Sequence, residues 1–388
     1  MADDGKPKDE TVATHAGRMS AEHFGVVNTP VYRASTILYP DLASMEAAKA
    51  PYTYGRRGTP THRSLEDAIT ELEGGVRTLL CPSGLNAIAL AITSVCGAGD
   101  HLLMVDTCYE PTRKLCDRTL KRFGIETTYY DPLIGSGIET LMRANTKAVF
   151  CENPGSLTFE IQDIPAIAAV AHKHGASVLL DNTWATPLFF KAFAHGVDLS
   201  IQAATKYVGG HADVMFGYVT ANESHCARLQ ETHGDTGLYI SGDDAYLALR
   251  GLRTMPVRLA QHQKTALEIA RWLETHPAVS RVLYPALESD SGHAIWKRDF
   301  TGASGLLGVV LKPAAKGALA AFFDGLKLYG MGYSWGGYES LIVPAHIHRT
   351  ARKFEADGPV IRIHAGLEDS GDLIADLNAG LSRYIDAK

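Results

Sequence analysis

Paired cysteines, long apolar runs and a surplus of basic charge are all missing from this 388-residue chain, and each absence removes a class of function. No stretch reaches the roughly eighteen apolar residues that a membrane-spanning helix needs, so a soluble protein without a membrane partner is expected. With 37 Lys and Arg against 43 Asp and Glu, the formal charge of -6 leaves no basic footprint for a nucleic-acid backbone. Six cysteines, at 81, 96, 108, 116, 151 and 226, form no CxxC pair and no zinc-like spacing. Free buried thiols in a reducing cytoplasm are the expectation. The opening, Met1 to Glu10, is polar and acidic, lacks the apolar core of a secretory signal, and reads as a mobile tail. Low-complexity tracts and internal repeats are absent too. What is there, 46% hydrophobic and 21% charged residues, is ordinary globular composition, and the length suits roughly two or three domains.

The apolar pattern Leu65, Ala68, Ile69, Leu72 has helical spacing and predicts a helix over 65–73, with Ser64 and Asp67 as cap and partner and Gly74-Gly75 as the stop. Strand, tight turn and helix follow from Val76 through Pro82-Ser83-Gly84 to Ile92. Further short strands are expected at 101–105, 147–151, 177–180 and 199–203, with a helix over 164–174. Strands alternating with helices argue for a parallel sheet covered on both faces. The character changes after about Tyr246, where a long helical segment from Arg258 to His276 leads into Val279-Ser280-Arg281-Val282-Leu283-Tyr284-Pro285 and a separate C-terminal domain is expected. Alternation in Val360-Ile361-Arg362-Ile363-His364 puts Arg362 and His364 on one face, so that Arg362 points toward a cleft.

Chemistry is suggested by a pair. Lys206 follows an apolar run that ends at Asp181 twenty-five positions earlier, so an acid closing one buried strand and a lysine closing the next line one crevice. A lysine amine and an acid so placed suit pyridoxal phosphate, which needs an amine for its aldehyde and a carboxylate for its ring nitrogen. At Pro82-Ser83-Gly84-Leu85 the amides of Gly84 and Leu85 open a helix and are placed to bind phosphate; an ordinary βα turn has the same signature. Tyr109 sits beyond the next strand, where open α/β sheets hold ligands, and either stacks on a flat ring or packs under a loop. The segment Tyr52 to Thr61 combines phenols with Arg56 and Arg57, whose donor forks suit phosphate.

Tyr54-Gly55-Arg56-Arg57-Gly58-Thr59, Asn153-Pro154-Gly155-Ser156, Asp181-Asn182-Thr183-Trp184, Ala204-Thr205-Lys206-Tyr207, Tyr333-Ser334-Trp335-Gly336-Gly337-Tyr338-Glu339-Ser340 and Arg362-Ile363-His364-Ala365-Gly366-Leu367-Glu368-Asp369 together resemble the cysteine and methionine metabolism family of pyridoxal-phosphate enzymes, from about Thr11 to Tyr384. The resemblance implies an α/β, aspartate aminotransferase-like fold: an N-terminal arm over 1–60 that reaches a neighbouring subunit, a large cofactor-binding domain over 61–245 with a mostly parallel seven-stranded sheet between helices, and a smaller α+β domain over 246–388. It implies pyridoxal 5'-phosphate joined covalently to Lys206, with Asp181 at the ring nitrogen, Tyr109 over the ring face, and Gly84, Leu85 and Thr205 on the phosphate. Tyr54 and Arg56 are implied to reach the phosphate of the neighbouring subunit, in a homotetramer built from active dimers. Arg362 is implied to clamp the substrate α-carboxylate, with Ser334 and Asn153 helping and Tyr333 and Trp335 lining the pocket. Relatives often carry Ser where this chain has Ala203, which removes one hydroxyl near the phosphate.

The activity implied is carbon–sulfur β-elimination of L-cystathionine to L-homocysteine, pyruvate and ammonia, with other cysteine S-conjugates as further substrates. Lys206 takes the α-proton, and Lys206 or Tyr109 protonates the departing thiolate. Family members acting at Cγ share the core motifs, but usually have Asn where Thr59 stands and Ser-Leu-Gly-Gly in place of Ser334-Trp335-Gly336-Gly337. Three other readings stay open. Gly332-Tyr333-Ser334-Trp335-Gly336 fits GxSxG, with Asp357 and His364 following in hydrolase order. The fold can also serve as a non-catalytic regulatory module. His346 and His348 would share a strand face, yet no acid or cysteine stands at ligand spacing beside them, so no metal is expected.

Overall fold

The computed structural model describes residues 7–387. Most of the predicted tail therefore lies outside the described residues, and its last two positions belong to a helix, Asp9–His15, whose first turn is acidic. Eleven strands are described, in two sheets. The larger holds β1 Arg77–Cys81, β2 His101–Val105, β3 Glu126–Tyr130, β4 Thr146–Glu152, β5 Ser177–Asp181, β6 Leu199–Gln202 and β7 Gly217–Ala221, in the order β1-β7-β6-β5-β4-β2-β3. Neighbours from β6 to β3 run parallel, and β7 alone is antiparallel to both of its partners. The smaller is antiparallel throughout, with β8 Val279–Leu283, β9 Leu306–Leu311, β10 Leu341–Pro344 and β11 Val360–His364 in the order β10-β11-β9-β8.

β2 and β6 are buried along their whole length, and β4 and β5 are buried apart from Lys147, Glu152 and Ser177, as expected of parallel strands covered by helices. Their polar ends all emerge at one edge, because parallel strands share a direction. Asp181 ends β5, Glu152 ends β4, and the Lys206 turn follows β6, so one crevice gathers residues that lie far apart in the chain. Five of the six cysteines are buried and all are free.

Two helix boundaries differ from expectation for identifiable reasons. The helix predicted over 65–73 runs Pro60–Glu73 and ends at Gly74, φ +74°, as its stop signal required. Its cap is Thr59, whose N–H and Oγ1 meet His62 Nδ1 at 3.2 and 2.8 Å. His62 thus fills the position usually held by Glu or Gln. Ser64 lies inside the helix, where its Oγ meets Thr29 Oγ1 at 2.6 Å.

The segment predicted from Arg258 is a 34-residue helix, Gly242–Thr275. Gly251 and Pro256 break the sequence pattern within it, and Ser241 caps it by accepting the Asp244 amide at 3.0 Å. Position 246 therefore lies near the start of one continuous helix. A short helix, Ala318–Phe323, lies between β9 and β10. His346 and His348 follow the end of β10 and lie outside any strand.

Candidate active site

Asp181 is 7% exposed, and its Oδ1 accepts the Thr183 amide at 3.0 Å and the Thr183 hydroxyl at 2.5 Å. Burial raises the carboxyl above the usual Asp range, while the Thr183 donors and Lys206 pull the other way. The same Thr183 hydroxyl oxygen accepts the Ala203 amide at 2.8 Å, which ties the end of β5 to the turn that carries Lys206. The Lys206 amide closes that turn on Ala203 O at 3.0 Å.

Lys206 Nζ donates to Ser334 Oγ at 2.6 Å and lies 5.1 Å from the centroid of the Trp335 ring. Burial lowers its amine to about 8, Arg362 pushes in the same direction, and Asp181 opposes both. Arg362, on β11, donates from Nη2 to Ser334 O at 2.9 Å. Burial lowers its guanidinium to about 10, still charged at neutral pH. Ser334 therefore links Lys206 to Arg362, and the Ser334 to Gly336 segment is shaped for it. Ser334 and Gly336 both have positive φ, +80° and +85°, and a Cβ on Gly336 would fall 2.9 Å from the Lys206 carbonyl carbon. His364, fully buried, accepts the Gly336 amide on Nε2 at 3.1 Å. Burial, then the neighbouring His262, holds its imidazole down at about 3, so it is a neutral acceptor.

The turn at Gly84 is also formed as the start of a helix. Ser83 caps helix Gly84–Val95 by accepting the Asn86 amide at 3.1 Å. The amides of Gly84 and Leu85 find no acceptor among the described residues. A Cβ on Gly84 would lie 2.4 Å from the Ala203 Cβ, so glycine is required for the two turns to touch. Thr205 is less free: its hydroxyl donates to Phe216 O at 3.0 Å and accepts the Phe216 amide at 2.9 Å.

Tyr109 is half-exposed, and its phenol has no hydrogen-bond partner among the described residues. Burial, then Glu152, raises its pKa, and Arg362 lowers it. The turn after β2 is anchored by Asp106, which accepts from Arg113 Nη2 at 2.6 Å, Arg349 Nε at 3.1 Å, and the amides of Thr350, Ala351 and Arg352 at 2.9, 2.8 and 3.2 Å. Asn153 is buried, with Oδ1 accepting the Gln162 amide at 2.8 Å. Tyr333 is 93% exposed at the mouth.

Tyr54 and Arg56 stand apart. No hydrogen bond among the described residues joins them to Lys206, and Arg56 donates instead to Gly234 O at 2.9 Å.

The hydrolase reading fails on geometry. Gly332–Gly336 precedes β10 rather than following a strand, no helix follows it, and Asp357 accepts from Ser280 Oγ at 2.6 Å rather than orienting His364. No group of three His, Cys, Asp or Glu able to hold a metal occurs among the described residues.

Sequence reasoning missed Glu152, Thr183 and His364 as members of this site. Glu152 had one legible signal, a carboxylate closing β4 as Asp181 closes β5. Thr183 and His364 lay inside quoted motifs but became partners only through folding.

Residues 10–382 match the model of the Cys/Met metabolism PLP-dependent enzyme family. The chain is 45% identical to a cystathionine beta-lyase of Escherichia coli, over 97% of this chain and 99% of that one. It is 44% identical to a cystathionine beta-lyase of Salmonella typhimurium, over 97% and 98%. A crystal structure of cystathionine gamma synthase from Xanthomonas oryzae, in complex with aminoacrylate and cysteine, superposes with a TM-score of 0.91 at 32% identity, covering 98% of this chain and 99% of that one. The free amides at Gly84 and Leu85, the partly neutral Lys206 amine and the Asp181 carboxyl fit the cofactor that this family uses. The chain belongs to the Cys/Met metabolism family of pyridoxal-phosphate-dependent enzymes.

Proposed function

We propose that the protein is a carbon–sulfur lyase that cleaves the Cβ–S bond of L-cystathionine, releasing L-homocysteine, pyruvate and ammonia, and that it also accepts other cysteine S-conjugates. The observation that carries this reading is the chain Lys206 Nζ, Ser334, Arg362, with links of 2.6 and 2.9 Å. An amino acid anchored by its carboxylate at Arg362 presents its Cα beside Lys206. The two relatives at 44 and 45% identity carry the β-lyase name, against 32% for the γ-synthase, which supports departure of the group on Cβ.

Pyridoxal phosphate, when bound, supplies an electron sink that acidifies the proton on Cα. Asp181 would hold a negative charge at the ring nitrogen, Gly84, Leu85 and Thr205 would hold the phosphate, and Tyr109 would cover the ring. Arg362 pairs its fork with the substrate carboxylate, while Ser334 steadies the neutral amine of Lys206. Lys206 takes the Cα proton, the electron pair left on Cα forms the Cα=Cβ bond as the Cβ–S pair leaves with sulfur, Lys206 returns the proton to the thiolate, and the released aminoacrylate takes up water to give pyruvate and ammonia. Trp335 walls the lysine from water, Tyr333 meets the distal half of the substrate, and Asn153 supports the pocket floor through Gln162.

Each protomer's Tyr54 and Arg56 complete the phosphate site of a neighbour, in a homotetramer built from active dimers within the cytoplasm. Support for this comes from their separation from their own crevice and from exposed Phe24, Leu38, Leu42 and Met45 on the arm before them. Purified holoenzyme given L-cystathionine is expected to release pyruvate and homocysteine in equal amounts. Cysteine and 2-oxobutyrate as the main products would overturn the assignment.

A further inference from the structure

We propose that Glu152 is a positioning residue for Tyr109: by accepting the Tyr109 amide at the end of β4, its carboxyl sets where the phenol ring lies over the crevice. The hydrogen bond from Tyr109 N to Glu152 Oε2 is 2.7 Å. It matters because little else fixes that ring. The phenol oxygen has no partner among the described residues, and the five-residue helix Glu110–Lys114 that Tyr109 opens lacks a side-chain cap. Tyr109 O accepts the amides of Thr112 and Arg113 at 2.8 and 3.2 Å, which fixes the carbonyl side of the residue only. Glu152 fixes the amide side.

Glu152 is itself firmly held. It is the register partner of Asp181 across β4 and β5, and its carbonyl accepts Gln162 Nε2 at 2.8 Å. Two carboxyl groups at one crevice edge do not both ionise readily, and their donors decide which one keeps the proton. Asp181 has the two Thr183 donors and Lys206 nearby. Glu152 has one backbone amide; burial, then Asp181, raises its carboxyl well above the usual range. A neutral Glu152 still accepts the Tyr109 amide and leaves Asp181 as the single negative charge beneath the ring. An amide side chain offers the same acceptor at the same reach, whereas alanine offers none.

This inference rests on reading the crevice as the cofactor site, and the test separates the two. Glu152→Ala is expected to lower kcat/KM for cystathionine roughly 10- to 100-fold, the scale of a small misplacement of a catalytic group. Glu152→Gln should recover most of that loss. Glu152→Ala should also change the circular dichroism of the bound cofactor band, which reports what stacks on the ring. In a Tyr109→Ala background, the Glu152→Ala change should cost less than about twofold, because coupled residues are not additive. Equal losses with and without Tyr109, an unchanged cofactor band, or a Gln variant as impaired as Ala would each overturn the positioning role. A parent enzyme that makes 2-oxobutyrate would sink the β-elimination reading alone, because the cofactor band still decides Glu152.

Discussion

Asp106, just past β2, and Asp181, at the end of β5, are both buried, at 1% and 7% exposure, yet their carboxyl groups are pushed in opposite directions. Around Asp106 burial favours the neutral acid, but the amides of Thr350, Ala351 and Arg352 and the Arg113 guanidinium outweigh it and bring the group down to about 2. Around Asp181 deeper burial meets only the Thr183 donors and the charge of Lys206, and the group moves up. Asp106 has more donors and Asp181 has the more deeply buried carboxyl, and both differences push the two groups apart. Asp106 is satisfied by its own chain and ties residues 349–352 to the Tyr109 turn. Asp181 is left short, and a cationic ring nitrogen is the partner that would complete it.

That contrast can be broken from either side. The largest expected effect is on the crevice side: Lys206→Ala should cut pyruvate release by about 10⁴-fold, the upper range for a general base. Its melting temperature should match the parent's, because the lysine holds no structural ion pair among the described residues. A variant that keeps activity within tenfold would remove Lys206 from the chemistry.

Asp106→Ala should show the reverse pattern. It strands the buried Arg113 side chain, 2% exposed, leaves Arg349 paired with Glu160 alone, and should cost about 3–5 kcal/mol of stability by denaturant titration. A loss below about 1 kcal/mol would mean that the clamp is ornamental to the fold.

The smallest effect is in acid. Because the folded pKa of Asp106 is depressed, its stabilisation is complete above the ordinary Asp value of ~4 and is lost as pH falls through about 2. Asp106→Asn should therefore lie below the parent in stability at pH 7 and converge with it near pH 2, in paired melting curves. Parallel curves across that range would place the stabilisation elsewhere.

Much of the site was legible because its signals are local. Lys206 after a strand, Gly84 opening a helix and Arg362 on an alternating strand each announce themselves within a few residues. The Asp106 clamp did not, since its partners at 349–352 lie more than 240 positions away and no pattern links them. Glu152 was hidden differently: an acid at a strand end normally faces water, and only the parallel pairing with β5 sets it against Asp181. Boundaries failed where punctuation misled. His62 serves as a capping partner without being an acid or amide, and Pro256 sits within a helix that tertiary packing carries through it.

The same helix has a mechanical consequence. At about 1.5 Å per residue its 34 residues form a strut roughly 50 Å long, which starts beside the large sheet and ends at β8 of the small one. Midway it bears on the chain just behind the reactive amine. Arg258 Nη2 donates to Tyr207 O at 2.8 Å, and a side chain on Gly251 would strike the carbonyls of Val208 and Gly209 at 2.4 Å. Lys206 is thus bedded on a beam shared by both halves of the molecule. The seat of Lys206 is therefore fixed by the same helix that packs against the small sheet.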